Sequence, residues 1–304
     1  MLNLSTSWTS QSCGSGDELI KRLRAFDVSG IELEYRLRPA VVESMRPALR
    51  NHSPAVHSIH NYFPAPPEET GLRPGGDIFR LSHPDPEERR NAVTWTARSM
   101  EQADDLEAGV LVLHCGYVEM PHGSKQLHDF YRTGRLASET AQAFLRDRIA
   151  EKERLKPPYL DGLLMSLDRL IPLALKRNLV LGLENRFDHH ELPGPDDFDS
   201  IFREFKGAPI GYWHDCGHAH AAEILGLVEP SGLLQRYGDH LVGVHLHDAL
   251  GLDDHLVPGR GEIDFTLLKP YLKNDIPLVL ELKPGTTDAE VVEGIRYLRT
   301  VLAV

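Results

Sequence analysis

The sequence predicts an α/β fold, a single-domain (β/α)8 TIM barrel, and three observations predict it. Short apolar runs alternate with amphipathic stretches from end to end. The runs GVLVLH, LVLGLE and IPLVLEL are apolar almost throughout, as parallel strands buried on both faces are. Residues able to carry chemistry cluster at the C-terminal ends of these runs, which a barrel gathers at one mouth.

The elements follow in order. Leu2 to Ser5 reads as the first strand, and Leu19, Ile20, Leu23 and Phe26 share one face of a helix over 17–26. The second strand spans Gly30 to Glu34, a helix lies within 40–50, and Val56 to His60 is the third strand. A Pro- and Gly-rich loop covers about 63–84. Asp85, Pro86 and Glu88 then read as N-cap, first-turn proline and capping-box acid of a helix to about Leu106. Val110 to His114 is the fourth strand. Residues 117–160 interrupt the rhythm as an insertion, with a helix near 138–155. A helix at 163–177 precedes the fifth strand, Leu179 to Glu184. Asp196 to Phe205 is helical, Ile210 to His214 the sixth strand, and a helical stretch to Tyr237 leads to the seventh, Leu241 to His247. After 264–272 comes the eighth strand, Pro277 to Leu282, and Thr287 with Glu290 caps a final helix to Leu302. The main rival, an open Rossmann sheet, calls for a GxGxxG turn after the first strand, and Gly14-Ser15-Gly16 is a poor match.

Composition narrows the function. Apolar residues make up 41% and charged residues 26%, as in a soluble globular protein. No apolar run approaches the roughly 20 residues that span a bilayer, and the N-terminus does not read as a signal peptide. Three cysteines cannot all pair with one another, so a reduced, cytoplasmic setting is the simplest expectation. The net charge of −12 weighs against a nucleic-acid partner without excluding a local basic patch. The 16 histidines are the compositional oddity, since imidazole is both a metal ligand and a proton carrier.

Their placement is informative. His60 ends the third strand, His114 the fourth and Glu184 the fifth. Asp215 and His218 follow the sixth. His245, His247 and Asp248 end the seventh, with Asp253 and His255 beyond, and Glu281 ends the eighth. Any one of these has a bland reading as a hydrogen-bonded structural residue. Gathered on one rim they would repel or stay unsatisfied, and a divalent cation relieves both. Mixed N and O donors suit Mn, Zn, Co or Fe better than Ca. Cys115 and Cys216 read as small apolar filler beside the ligands.

At these residues the chain resembles the xylose-isomerase-like barrel superfamily, which holds sugar isomerases and epimerases together with endonuclease IV. The resemblance is carried by LVLGLENR, YWHDCGHAHAAE, VGVHLHD, DDHLVPGRGEIDF and LVLELKPG. It implies a metal held by Glu184, Asp215, His245 and Glu281. It also implies that Glu184 and Glu281 are the catalytic pair, one removing a proton beside a carbonyl and the other returning it through a metal-stabilised enediolate. His218, Arg186, Lys283 and His60 are then expected to bind a sugar or sugar-like substrate.

The endonuclease-IV branch implies a different site. Its three-metal centre would draw additionally on His60, His114, His218, Asp253 and His255, and would hydrolyse a phosphodiester in abasic DNA. The absence of that branch's N-terminal signature from MLNLSTSWTS and the acidic charge count against it. A barrel that binds a sugar without turning it over is a third reading, opposed by the intact Glu184 and Glu281. The 117–160 insertion lies on the active-site face and suits a lid or the contact of a homo-oligomer.

Overall fold

The computed structural model describes residues 1–273 and 275–303. All eight runs form strands, each within a residue or two of the expected bounds: β1 (Leu2–Ser5), β2 (Gly30–Leu33), β3 (Val56–His60), β4 (Val110–Leu113), β5 (Val180–Glu184), β6 (Ile210–Asp215), β7 (Leu241–Leu246) and, after a short hairpin of β8 (Asp248–Leu250) and β9 (Asp253–Leu256), β10 (Leu278–Leu280). The barrel order is β1-β10-β7-β6-β5-β4-β3-β2, every pair parallel, and β1 closes it by pairing with both β10 and β2. Among the described residues ten α-helices accompany the strands: α1 (Gly16–Leu23), α2 (Pro39–Arg50), α3 (Pro86–Asp105), α4 (Ser124–Arg132), α5 (Glu139–Leu155), α6 (Pro157–Lys176), α7 (Asp197–Glu204), α8 (Cys216–Ile224), α9 (Gly232–Tyr237) and α10 (Asp288–Leu302). A 3-10 turn at Phe265–Tyr271 stands where the last helix before β10 would be.

The caps show why the helices begin where they do. Asp85 accepts the Glu87 N–H at 2.6 Å, with Pro86 in the first turn of α3. Thr287 and Glu290 close a capping box on α10 in both directions. Two elements differ from expectation. The insertion carries two helices, α4 and α5, rather than one. It also ends at residue 156, because Pro157 opens α6, the barrel helix that packs on α3.

Strand alternation sorts the side chains into two cores. Leu4, Ile31, Leu111, Leu113, Leu181, Leu183, Leu246 and Leu280 face outward into the large core under the helices. Val110, Val112, Trp213 and Val279 form a small separate core inside the barrel. Trp213 fills this interior because Gly243 makes room: a Cβ there would lie 2.0 Å from the indole. Two residues further along the same faces, alternation delivers polar groups: His114 after Val112, Asp215 after Trp213, His245 after Gly243 and Glu281 after Val279. The apolar plug is thus the floor on which the polar mouth stands, with Trp213 edge-on to His245 at 5.0 Å.

Candidate metal centre at the barrel mouth

His245 is the hub. Its Nδ1 lies 3.1 Å from Glu281 Oε2, 3.2 Å from Glu184 Oε1 and 3.6 Å from Asp215 Oδ2. All four side chains are buried. One ring nitrogen carries at most one proton, so it cannot satisfy three carboxylates by hydrogen bonding. A divalent cation among these four donors would satisfy them together, and three oxygens with one imidazole is a donor set for a borderline or hard ion. Glu184 Oε2 makes the same point: it is enclosed and completes no hydrogen bond among the described residues. The four residues therefore fit the metal that the sequence implies.

The protonation pattern shows how the carboxylates are held. Burial pushes the Glu184 carboxyl up, but His114 and His245 outweigh it and hold it well below the usual range. Asp215 is held well below its usual range in the same way by His218 and His247, against burial. Glu281 is also lowered, with His245 and His255 overcoming burial. Burial alone would lower His245, yet Glu281, Glu32 and Glu184 raise it well above the ordinary histidine value. Protonated imidazole thus does part of the charge balancing that a cation would do.

Supporting groups orient these side chains. Glu32, on β2, receives His245 Nε2–H at 3.1 Å and is itself held by the Ser58 hydroxyl at 2.8 Å. This fixes the tautomer that leaves Nδ1 facing the carboxylates. Asn185 accepts the Asp215 N–H at 2.8 Å and donates to its carbonyl at 3.0 Å. Asp215 caps α8 by accepting the His218 N–H at 2.7 Å. His247 accepts the His255 N–H on Nδ1 at 2.9 Å, so its Nε2 donates to Asp215 at 3.0 Å.

The remaining expected residues divide. His60 Nε2 and His114 Nε2 approach Glu184 Oε2 at 3.3 and 3.0 Å. His114 is raised to about 9: burial and Arg186 lower it, and Asp77 with Glu184 more than offset them. His218 Nδ1 sits 3.0 Å from the Asn185 carbonyl and 3.5 Å from Glu184 Oε1. Arg186 is buried and pairs through Nη2 with Asp77 at 2.8 Å and with Glu191. It therefore reaches the cluster through Asp77, which holds His114 at 3.0 Å. His255 lies 3.7 Å from Glu281. Asp253 and Lys283 stand outside. Asp253 is 73% exposed, Lys283 is 52% exposed, and the two are 3.9 Å apart. Asp254, the next residue, is the one that turns inward, 3.2 Å from His255 and 3.8 Å from His218. Asp248 is structural: it accepts the N–H groups of Ala249, Gly259, Gly261 and Ile263, folding the Pro-Gly-Arg-Gly turn around itself.

Sequence reasoning missed Glu32, Glu34, Asp77, Asp254 and the supporting role of His247. Glu34, one residue past β2, continues the inward face of Glu32. It is fully buried, neither oxygen completes a hydrogen bond among the described residues, and its carboxyl is pushed up to about 7 by burial against the pull of Arg36. Alternation along β2 was the signal that could have found both glutamates. A cleft of about 470 Å³ opens beside the mouth between α4 and the β8–β9 hairpin, lined by Lys125, His128, Tyr131, Arg132, Leu250, Leu252 and Asp253. Phe187 links it to the site, packing edge-on against both His218 and His128 at 5.8 Å.

Known proteins place this architecture. A crystal structure of a D-tagatose 3-epimerase-like protein superposes with a TM-score of 0.69 at 20% identity, covering 99% of this chain and 97% of that one. The 3-keto-D-glucoside 4-epimerase YcjR from E. coli matches with a TM-score of 0.67 at 14% identity over 98% of both chains. D-psicose 3-epimerase from Clostridium cellulolyticum H10, solved with D-tagatose, matches with 0.67 at 12% over 99% of both. These likenesses establish the fold. The uncharacterized protein y4fM of Sinorhizobium fredii is 29% identical over 121 residues, which is 39% of this chain and only 36% of that protein. The family model of the xylose isomerase-like TIM barrel matches residues 20–301, and the chain belongs to that family.

Proposed function

We propose that this chain is a divalent-metal-dependent epimerase or isomerase of a keto sugar or keto polyol, with Glu184 and Glu281 moving a carbon-bound proton. The convergence of Glu184, Glu281 and Asp215 on the single Nδ1 of His245 carries this reading. The similar solved barrels, named as ketose and keto-glucoside epimerases, support it.

Glu184, Asp215, His245 and Glu281 would hold the cation, which is Mn, Zn, Co or Fe by donor type. When bound it supplies Lewis acidity to the carbonyl and neighbouring hydroxyl oxygens of the substrate. The chain's own groups do the rest. One carboxylate takes the proton from the carbon beside the carbonyl, and the other returns a proton to the opposite face. His218 and His60 offer imidazole groups to substrate oxygens beside Glu184. Arg186 acts through Asp77 and His114. Lys283 stands at the outer rim, where it would meet the far end of a longer substrate. The cleft under α4 gives the substrate a way in, which makes the insertion a lid or a subunit contact. The reading goes with a cytoplasmic protein whose three buried thiols are reduced.

The test is wash-in of solvent deuterium at a carbon-bound position of keto sugars by metal-loaded protein. Exchange that is lost in both Glu184→Gln and Glu281→Gln supports the reading. Absence of exchange across a panel of keto sugars and keto polyols sinks it. A hydrolytic, multi-metal reading is favoured by one observation, the approach of His60 and His114 to Glu184 Oε2 and of His247 and His255 to Asp215 and Glu281. It requires cleavage of an abasic-site duplex and three metals at the mouth.

A further inference from the structure

We propose that His122, Asp188 and His190 form a second divalent-cation site, suited to zinc, that clasps the segment after β4 to the loop after β5. One candidate ligand atom from each of the three lies within 4.8 Å of the others. None of these residues belongs to the mouth centre, and the inference does not depend on the proposed reaction.

The backbone around them is already paired. The Val118 N–H donates to the His190 carbonyl at 2.9 Å, and the Leu192 N–H to the Gly116 carbonyl at 2.9 Å. Tyr117 and Glu191 form an antiparallel bridge between them. From α5, Arg148 donates to the Pro121 carbonyl at 2.9 Å, bracing the residue before His122. Ligands on a frame fixed in this way lose little freedom when an ion binds.

The side chains have the right chemistry. His122 Nδ1 lies 2.7 Å from the Ser124 hydroxyl and accepts the Ser124 N–H at 3.3 Å, so an ion on the other ring nitrogen moves the ring proton to Nδ1, which then donates to the Ser124 hydroxyl as the outer hydrogen bond of a ligating imidazole. His190 is 8% exposed, and its Nδ1 completes no hydrogen bond among the described residues. The two rings stack at 4.2 Å. Asp188 supplies one negative charge. Glu191 is engaged by Arg186 and by the Asp188 N–H, so it stands aside. Lys152 of α5 is buried and interacts electrostatically with both His190 and Asp197. Two imidazoles and a carboxylate, with water in the fourth position, make a tetrahedral zinc set. Both nitrogens reach about 2.0 to 2.1 Å from one ion only if the stacked rings splay, so binding turns side chains on a fixed backbone.

The experiment is equilibrium dialysis of the full, metal-stripped chain against Zn²⁺, followed by metal analysis. The wild type is compared with His122→Asn, with His122→Asn/His190→Asn, and with Glu184→Gln/Glu281→Gln. The proposal expects each His122 variant to hold one equivalent less than the wild type. It expects the double glutamine variant to keep one equivalent, which His190→Asn added to it removes. Circular dichroism and the thermal midpoint check that each variant is folded. His122 lies half-buried on a loop, so its single substitution keeps the test decisive if the double variant does not fold. Equal zinc content in wild type and His122→Asn overturns the proposal. Failure at the mouth centre instead shows as loss of the equivalent that depends on Glu184 and Glu281.

Discussion

Glu34 offers a pH test of the mouth's electrostatics. Its side chain is fully buried and both oxygens lack hydrogen-bond partners among the described residues. Burial raises it to about 7, with Arg36 at 3.6 Å opposing the rise. In an unfolded chain a glutamate titrates near 4.3. Between those two pH values the folded state holds a proton that the unfolded state has lost, so stability falls as pH rises from about 4.5 to 7. Above about 7 the loss is complete and amounts to roughly 4 kcal/mol. Glutamine has the same shape and cannot ionise. Glu34→Gln is therefore expected to raise stability by about 1 kcal/mol near pH 5 and by roughly 4 kcal/mol at pH 8. In a chain of this size that is about 6 °C in thermal midpoint.

Differential scanning calorimetry in EDTA, at pH 5 and pH 8, on both proteins reads the effect. The informative quantity is the change in the difference between them, since other titrating groups cancel. If the two midpoints run parallel across this range, Glu34 is not a buried acid of raised pKa, and the account of the β2 end is wrong.

Three further outcomes follow from the geometry. Glu32→Gln weakens the acceptor behind His245 and is expected to lower affinity for the mouth metal about 10- to 100-fold, read by competition with a chelator. His245 is raised well above its ordinary value by three glutamates against burial, so it is protonated at pH 7. Metal binding must expel that proton, so affinity rises with pH, and titration calorimetry in buffers of different ionisation enthalpy should find about one proton released per ion. Gly243→Ala drives a methyl group to 2.0 Å from Trp213. It is expected to cost at least 1 to 3 kcal/mol of stability and to disturb His245, which rests on that indole, so both the thermal midpoint and the metal affinity should fall.

The barrel was legible because several of its strands are nearly continuous apolar runs and its helices are not. GVLVLH and LVLGLE needed no long-range information to be read as buried strands. The clustering of Glu184, Asp215, His245 and Glu281 was legible because each stands at a strand end, where a polar residue interrupts an apolar run. The hairpin was not. Register within DDHL decides which carboxylate faces in, and His255 sits at φ 55°, a left-handed turn that no pattern announced. That turn accompanies an inward Asp254 and an outward Asp253. Asp77 lay in a Pro- and Gly-rich loop, where nothing local tied it to Arg186 and His114.

The β2 glutamates were hidden for a different reason. In GIELEYR the polar residues alternate with apolar ones, and alternation alone reads as a strand with one face in solvent. Inside a closed barrel there is no solvent face, so Glu32 and Glu34 both point inward. Barrel closure turns an ordinary half-exposed pattern into two buried carboxylates. The first of them is neutralised by an imidazole that the opposite side of the barrel supplies. The second completes no hydrogen bond among the described residues, so its burial costs free energy that the fold does not recover within β2. Selection for stability alone would favour an apolar side chain at that position, so function is the better explanation for the acid there. The pH difference expected for Glu34→Gln is a direct measure of that cost.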